Sequence, residues 1–165
     1  MLNPKIRSCT PKDIGALVET IRRSFQDVAK RFGLNQENSP RHPSNCIDDW
    51  IQKDMERGVI YFVIENENLV AGCVALELAN SDVSYLERLA VLPDQRLRGF
   101  GNALITHVLS QAKSLGAKRV NIGIIAEQNE LKKWYKEIGF VEQESKEFPC
   151  LPFNVTFMSY KIDKK

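Results

Sequence analysis

Leu89-Ala90-Val91-Leu92-Pro93-Asp94-Gln95-Arg96-Leu97-Arg98-Gly99-Phe100-Gly101-Asn102-Ala103-Leu104 joins an apolar strand to a helix through a turn rich in arginine and glycine. Gly99 and Gly101 remove side chains that would hold a ligand off the backbone, so the first free N–H groups of the helix converge on an anion. Arg96 and Arg98 set cationic donors beside that point. The whole run is therefore predicted to cradle a pyrophosphate; the rival reading is a strand-to-helix turn with glycine for tight packing and arginine for solubility. It is not a Walker loop, which needs Gly-Lys followed by Ser or Thr, nor a dinucleotide fingerprint, since Gly-x-Gly-x-x-Gly is absent.

Working outward, Ile6 to Cys9 reads as a strand, and Thr10 and Pro11 supply the cap and first position of a helix running to Phe32, with Gly33 as its stop. Asn35 to Asn45 holds Pro40 and Pro43 among polar residues and is irregular, after which Ser44 or Asn45 is expected to cap a second helix reaching Arg57. Val59 to Glu65, Leu69 to Ala79 and Val83 to Val91 form three antiparallel strands by their β-rich runs and intervening turn residues. The helix opened by Gly99 ends at Gly116, and Arg119 to Ile125 is a strand laid parallel to Val83–Val91 by a right-handed crossover. A last helix precedes closing strands at Phe140 to Glu144 and Asn154 to Ile162. The glycine turn then sits at the carboxyl end of a parallel strand, the edge ligands favour.

Arg96-Leu97-Arg98-Gly99-Phe100-Gly101, following Leu89-Ala90-Val91, resembles the Arg/Gln-x-x-Gly-x-Gly/Ala motif of the GNAT superfamily of acetyl-coenzyme A-dependent N-acetyltransferases. A second block, Leu131-Lys132-Lys133-Trp134-Tyr135-Lys136-Glu137-Ile138-Gly139-Phe140, resembles the helix ending in Tyr-x-x-x-Gly-Phe in those enzymes. The resemblance is specific from Tyr85 to Val141. It implies a mixed α/β fold with a central, mostly antiparallel sheet, one parallel splayed strand pair and helices on both faces, here as one domain over residues 1–165.

The resemblance also implies acetyl-coenzyme A as cosubstrate. The backbone of Leu89, Ala90 and Val91 would bind the pantetheine arm like an added strand and polarise the thioester carbonyl. Arg96, Leu97, Arg98, Gly99, Phe100, Gly101 and Asn102 would hold the diphosphate. The family often has asparagine where this chain has Gln128, followed by Asn129, so these are the contacts expected from the last helix. Tyr135 occupies the family position whose hydroxyl protonates the departing thiolate, against the alternative of a core aromatic.

Period-two alternation puts Glu87 on one strand face with Tyr85, Leu89 and Val91, where a carboxylate is anomalous unless it has a task. A local bulge would shift that phase. Glu87 is the candidate base for the acceptor ammonium and Glu77 the reserve; the alternative is an ion pair of Glu87 with Arg88 or another cation. Trp134 is expected to point elsewhere and pack. Arg41, His42, Trp50, Phe148 and Phe153 are candidates to line the acceptor pocket, and His107 is expected at the surface, away from the cradle.

With 23 Lys and Arg against 21 Asp and Glu, the formal charge of +2 offers no general attraction to nucleic acid or an anionic membrane. No segment has the apolar length of a membrane span and Met1 to Cys9 lacks a signal-peptide core, so a cytoplasmic location is expected. Cys9, Cys46, Cys73 and Cys150 lack metal-ligand spacing, so no metal is expected and free thiols are. Cys73 reads as core, and Cys46 and Cys150 as thiols in irregular, accessible stretches. Cys46 near His42 raises a nucleophile pair, without a third group to orient it. The expected reaction is direct transfer of acetyl to a primary amine of a small molecule or peptide; whether the chain forms a homodimer stays open. The rival class is a coenzyme A-sensing or partner-binding module that has lost acceptor chemistry.

Overall fold

The computed structural model describes residues 3–163; Met1 and Leu2 of the amino-terminal stretch lie outside them. Strand β1 (Lys5–Ser8) leads into a short 3-10 turn at Pro11–Asp13, where the Thr10 side chain accepts from the Lys12 amide and Asp13 returns a bond to the Thr10 amide. Helix α1 (Ile14–Phe32) follows and ends at Gly33. Helix α2 (Asp48–Glu56) starts later than Ser44 or Asn45, because Pro43–Asn45 forms a separate 3-10 turn whose His42 ring accepts from the Ser44 amide. Proline fixes that turn, and an extended Cys46 keeps it apart from α2.

Strands β2 (Ile60–Asn66), β3 (Leu69–Leu78) and β4 (Val83–Val91) pair antiparallel in sequence. Helix α3 (Phe100–Ser114), strand β5 (Arg119–Ile125), helix α4 (Asn129–Ile138) and strands β6 (Val141–Lys146) and β7 (Val155–Lys161) complete a seven-stranded sheet of order β1-β2-β3-β4-β5-β7-β6. Both faces of its middle are covered, so β2 and β3 are buried almost continuously rather than in alternation. Ile64, Val74, Leu76 and Leu86 pack with Leu104, Ile105 and Val108 of α3 and with Tyr135 of α4. On the opposite face Tyr61, Val63, Cys73 and Ala75 meet Leu17 and Ile21 of α1 and Ile51 of α2. Each such large side chain contributes about 1.5–3 kcal/mol by leaving water.

The parallel pairing of β4 with β5 is short. Val83, Ser84 and Tyr85 lie opposite Arg119, Val120 and Asn121, and there the pairing ends. Beyond it β5 stays with β7, from Ile122 opposite Met158 to Ile125 opposite Val155, while β4 stays with β3. A bulge on β4 bends it further away: Glu87 opposes Ala75 but Ala90 opposes Cys73, and Arg88 takes the left-handed conformation at φ 51°. A wedge therefore opens between the two strands, lipped by backbone groups of β4 that β5 does not pair.

Gly72 lets β3 follow the bent strand closely, since a Cβ there would stand 2.6 Å from the Ala90 carbonyl oxygen. Gly72→Ala is expected to force the two backbones apart and lower stability by about 1–3 kcal/mol, the usual cost of overpacking. Urea unfolding checks this; an unchanged midpoint would mean that β4 is not held at the observed separation.

Candidate active site

Gly99 opens α3 in the left-handed conformation, φ 83°, with no side chain capping the helix. The first bond into the helix runs from the Ala103 amide to the Gly99 carbonyl at 3.0 Å, so the amides of Phe100, Gly101 and Asn102 precede the intrahelical ladder and carry the positive end of its dipole. They border a cleft of about 480 Å³ lined also by Leu89, Ala90, Val91, Arg96, Leu97 and Gln128. Arg98 and Asn129 do not line it. Trp134 does, contrary to the expectation that it points elsewhere: a Cβ on Gly101 would come within 3.2 Å of its ring. Glycine spacing alone carried no sign of this indole, which α4 brings across from the second block.

Arg96 is engaged within the chain. Its guanidinium bonds the Val91 carbonyl at 3.1 Å, the Asp27 carboxylate at 2.7 Å and the Ser24 carbonyl at 2.8 Å. It thus fastens α1 to the end of β4 and makes Ser24, Phe25, Asp27 and Val28 part of the cleft wall. Burial acts to raise the Asp27 pKa, but the Arg96 bond and charge outweigh it and hold that carboxyl below its ordinary value. The periodicity of α1 identified Phe25 and Val28 only as apolar; their contact with the cleft depends on tertiary packing.

A second cavity, about 310 Å³, occupies the wedge and shares Phe25, Val28, Leu89, Gln128 and Leu131 with the first. Glu87 and Tyr135 both line it, together with Ile122 to Ile125 from the facing strand and His42 and Phe153 from two loops. Tyr135 is buried, and burial alone pushes its hydroxyl pKa up, which keeps a proton on it. Glu87 faces the α1 side with Tyr85, but Leu89 and Val91 pack on the opposite core; the bulge at Arg88 reverses the alternation between them.

Glu87 lies beside Glu77. Burial first, then the Glu77 carboxyl through hydrogen bonding and charge, raise the Glu87 pKa to about 7. Glu77 is itself ion-paired with Arg57, which bonds Asp54 at 2.9 Å. Asp54 is buried and also accepts from the Tyr61 hydroxyl at 2.6 Å and from Arg88 at 2.7 Å. Arg88 therefore pairs with Asp54, not Glu87, and its guanidinium lies over the Trp50 ring at 5.6 Å, with Arg41 at 4.4 Å. No spacing rule links Asp54, Arg57, Tyr61 and Arg88, because three elements bring them together. Trp50 and Arg41 serve this stack, and Phe148 packs against Phe157.

His42 Nδ1 is 2.7 Å from the Ser44 hydroxyl, and its ring meets Phe25 edge-on. Cys46 is fully buried, which pushes its thiol pKa up; its stretch is irregular but packed beneath α1 and α2, so the expected accessible thiol is not found and nothing favours the Cys-His nucleophile. Cys73 is core and Cys150 exposed. His107 is half-buried against Phe62 at 4.6 Å rather than at the surface. Among the described residues no cluster of histidine, cysteine and carboxylates suits a metal ion, and no helix is long and apolar enough to cross a membrane.

Residues 19–140 match the model of the acetyltransferase (GNAT) family. An uncharacterized N-acetyltransferase of Methanocaldococcus jannaschii, MJ1207, is 32% identical over 84% of this chain and 61% of its own length. The amino-acid acetyltransferase of Azotobacter vinelandii is 28% identical over 82% of this chain, which spans only 27% of that protein, whereas the uncharacterized N-acetyltransferase YjgM of Escherichia coli is 27% identical with 82% of its length covered. The fold is shared with the ribosomal-protein-S18-alanine N-acetyltransferase of Escherichia coli, TM-score 0.79 at 15% identity over 99% of this chain and 96% of that one. It is also shared with yncA of Salmonella typhimurium, solved with acetyl-CoA, TM-score 0.72 at 16% identity and the same coverage.

Proposed function

The chain belongs to the GNAT acetyltransferase family, and on that premise we propose that it moves acetyl from acetyl-coenzyme A directly to a primary amine, with Glu87 as base and Tyr135 as acid. The observation that carries this reading is that both side chains line one wedge, continuous with the cleft beside Gly99 and Gly101. The free amides of α3 would hold the diphosphate, and the unpaired lip of β4 at Leu89 to Val91 would bind the arm that reaches the wedge. Glu87, as carboxylate, would take a proton from the acceptor ammonium as the nitrogen attacks the thioester carbon. A β4 amide would stabilise the charge developing on the carbonyl oxygen. Tyr135 would give its proton to the sulfur as the carbon–sulfur bond breaks, and the second proton shed by the nitrogen as the amide forms would return to the tyrosinate, so the products are amide, free thiol and protonated Glu87 and no acyl-enzyme is needed.

Two kinds of acceptor stand behind relatives of this chain, since one is named for amino acids and a fold neighbour for a protein alanine. Released thiol measured against a panel of amines and peptides tests the activity. Tyr135→Phe is expected to lower kcat about tenfold, less than a general acid usually supplies because a thiolate departs readily without one, with KM nearly unchanged. Equal rates for the two proteins would remove the acid role, and thermal stabilisation by acetyl-coenzyme A with no turnover on any amine would favour the sensing module.

A further inference from the structure

Resting on the acetyltransferase reading of the wedge, we propose that the acceptor is an amine carrying a carboxylate at a distance, held end to end between Glu87 and Arg119. Beyond the wedge the cavity continues into a groove of about 530 Å³ on the α1 side of the sheet, past the cover of α1, and Glu87 lines both. Four charged side chains line this groove: Glu87, Arg119, Glu144 and Lys146. Glu144 and Lys146 pair with each other at 3.3 Å. That leaves one carboxylate and one guanidinium, neither of which has an opposite charge in an ion pair among the described residues; the polar contact of Arg119 is with the Ser159 hydroxyl at 3.4 Å. A ligand that complements the groove carries a cation at one end and an anion at the other.

The register sets their spacing. Val83 lies opposite Arg119 and Tyr85 opposite Asn121, so Glu87 stands four strand residues from Arg119, about 13 Å along the backbone, an interval that the two side chains bridge only in part. A simple α-amino acid is too short, because its ammonium and carboxylate flank a single carbon. A dipeptide or an ω-amino acid spans the interval. Between the two ends, Asn121 holds a buried Oδ1 with no hydrogen-bond partner and lines the groove. A peptide amide in the middle of such a ligand offers the N–H that this oxygen lacks. Phe157, opposite Gly123 on β7, supplies an apolar floor for the linking carbons.

The test compares matched probes, diglycine against its carboxamide and 6-aminohexanoate against hexylamine, by thiol release. The carboxylate-bearing member of each pair is expected to show kcat/KM at least tenfold higher, through KM. Arg119→Gln is expected to cut that preference below twofold, and Arg119→Lys to keep part of it. Equal kcat/KM within each pair, or a preference that survives Arg119→Gln, overturns the proposal while leaving the acetyltransferase intact. If no amine releases thiol, the acetyltransferase reading fails instead, and calorimetry of 6-aminohexanoate with the coenzyme A-loaded protein decides the groove: binding lost in Arg119→Gln supports it, and no binding to the unmutated chain overturns it.

Discussion

Glu87→Gln is expected to lower kcat by about 10²–10³-fold, within the range that a positioned base supplies, and to abolish the pH dependence that the unmutated protein shows. With a pKa of about 7, the carboxylate that accepts the proton becomes populated only as the pH climbs through that value, so kcat/KM should rise with pH and level off above it. The glutamine has nothing to titrate, and its profile should stay flat across the same window. Parallel profiles, one merely displaced below the other, would sink the assignment of Glu87 as base.

The same substitution is expected to stabilise the fold on the alkaline side. Because the folded-state pKa lies above the ordinary carboxylate value, the native chain holds this proton more tightly than the unfolded chain does. The stability from that proton is full below the ordinary carboxylate pKa and is lost as the pH rises to about 7, where the two carboxyls repel. Glu87→Gln removes the repulsion, so at pH 8 it should gain roughly 1–2 kcal/mol after allowance for the exposed part of the side chain. At pH 4 the two proteins should unfold alike. A base poised at a cost to stability gives opposite signs for activity and thermal midpoint, which a merely structural glutamate would not.

Gly101→Val is expected to raise the dissociation constant of coenzyme A about a hundredfold, or about 2.7 kcal/mol, with a much smaller effect on folding. A Cβ at this position meets the Trp134 ring at 3.2 Å, so a branched side chain must displace the indole and stand over the free amides of the first turn. The anion then loses both access and donors. Calorimetry reports the affinity and thermal unfolding the fold; retained affinity in a folded variant would discard the cleft beside α3 as the diphosphate site.

Much of this site was legible in the residues. Gly99 and Gly101 between an apolar strand and an apolar helix announce exposed amides, and Gly99 takes the left-handed conformation that opens the turn. Tyr135 at its place before Gly139-Phe140 gave the acid candidate, and four residues of helix turn it into the wedge. Arg96 reads from the sequence as a cationic donor to an anion beside the turn, whereas the three acceptors it satisfies in the fold belong to β4 and α1. Charge alone does not reveal whether a guanidinium is spent inside the protein. Trp134 and Cys46 went astray for a related reason: local pattern gives the phase of a helix or the irregularity of a loop, but not what packs over it.

The sequence by itself determined the order of elements, the antiparallel run from β2 to β4, and the turn at Gly99, because hydrophobic period, capping and glycine placement act over a few neighbouring residues. The tertiary structure alone decided the depth of the wedge, the parting of Leu89 and Val91 from the face of Glu87, and the groove that continues to Arg119. Those depend on a bulge at Arg88, on β4 and β5 parting beyond Asn121, and on Glu77, Asp54 and Arg57 meeting across elements. One extra residue in a strand reverses every side chain after it, and the energy that places it there comes from partners remote in the chain.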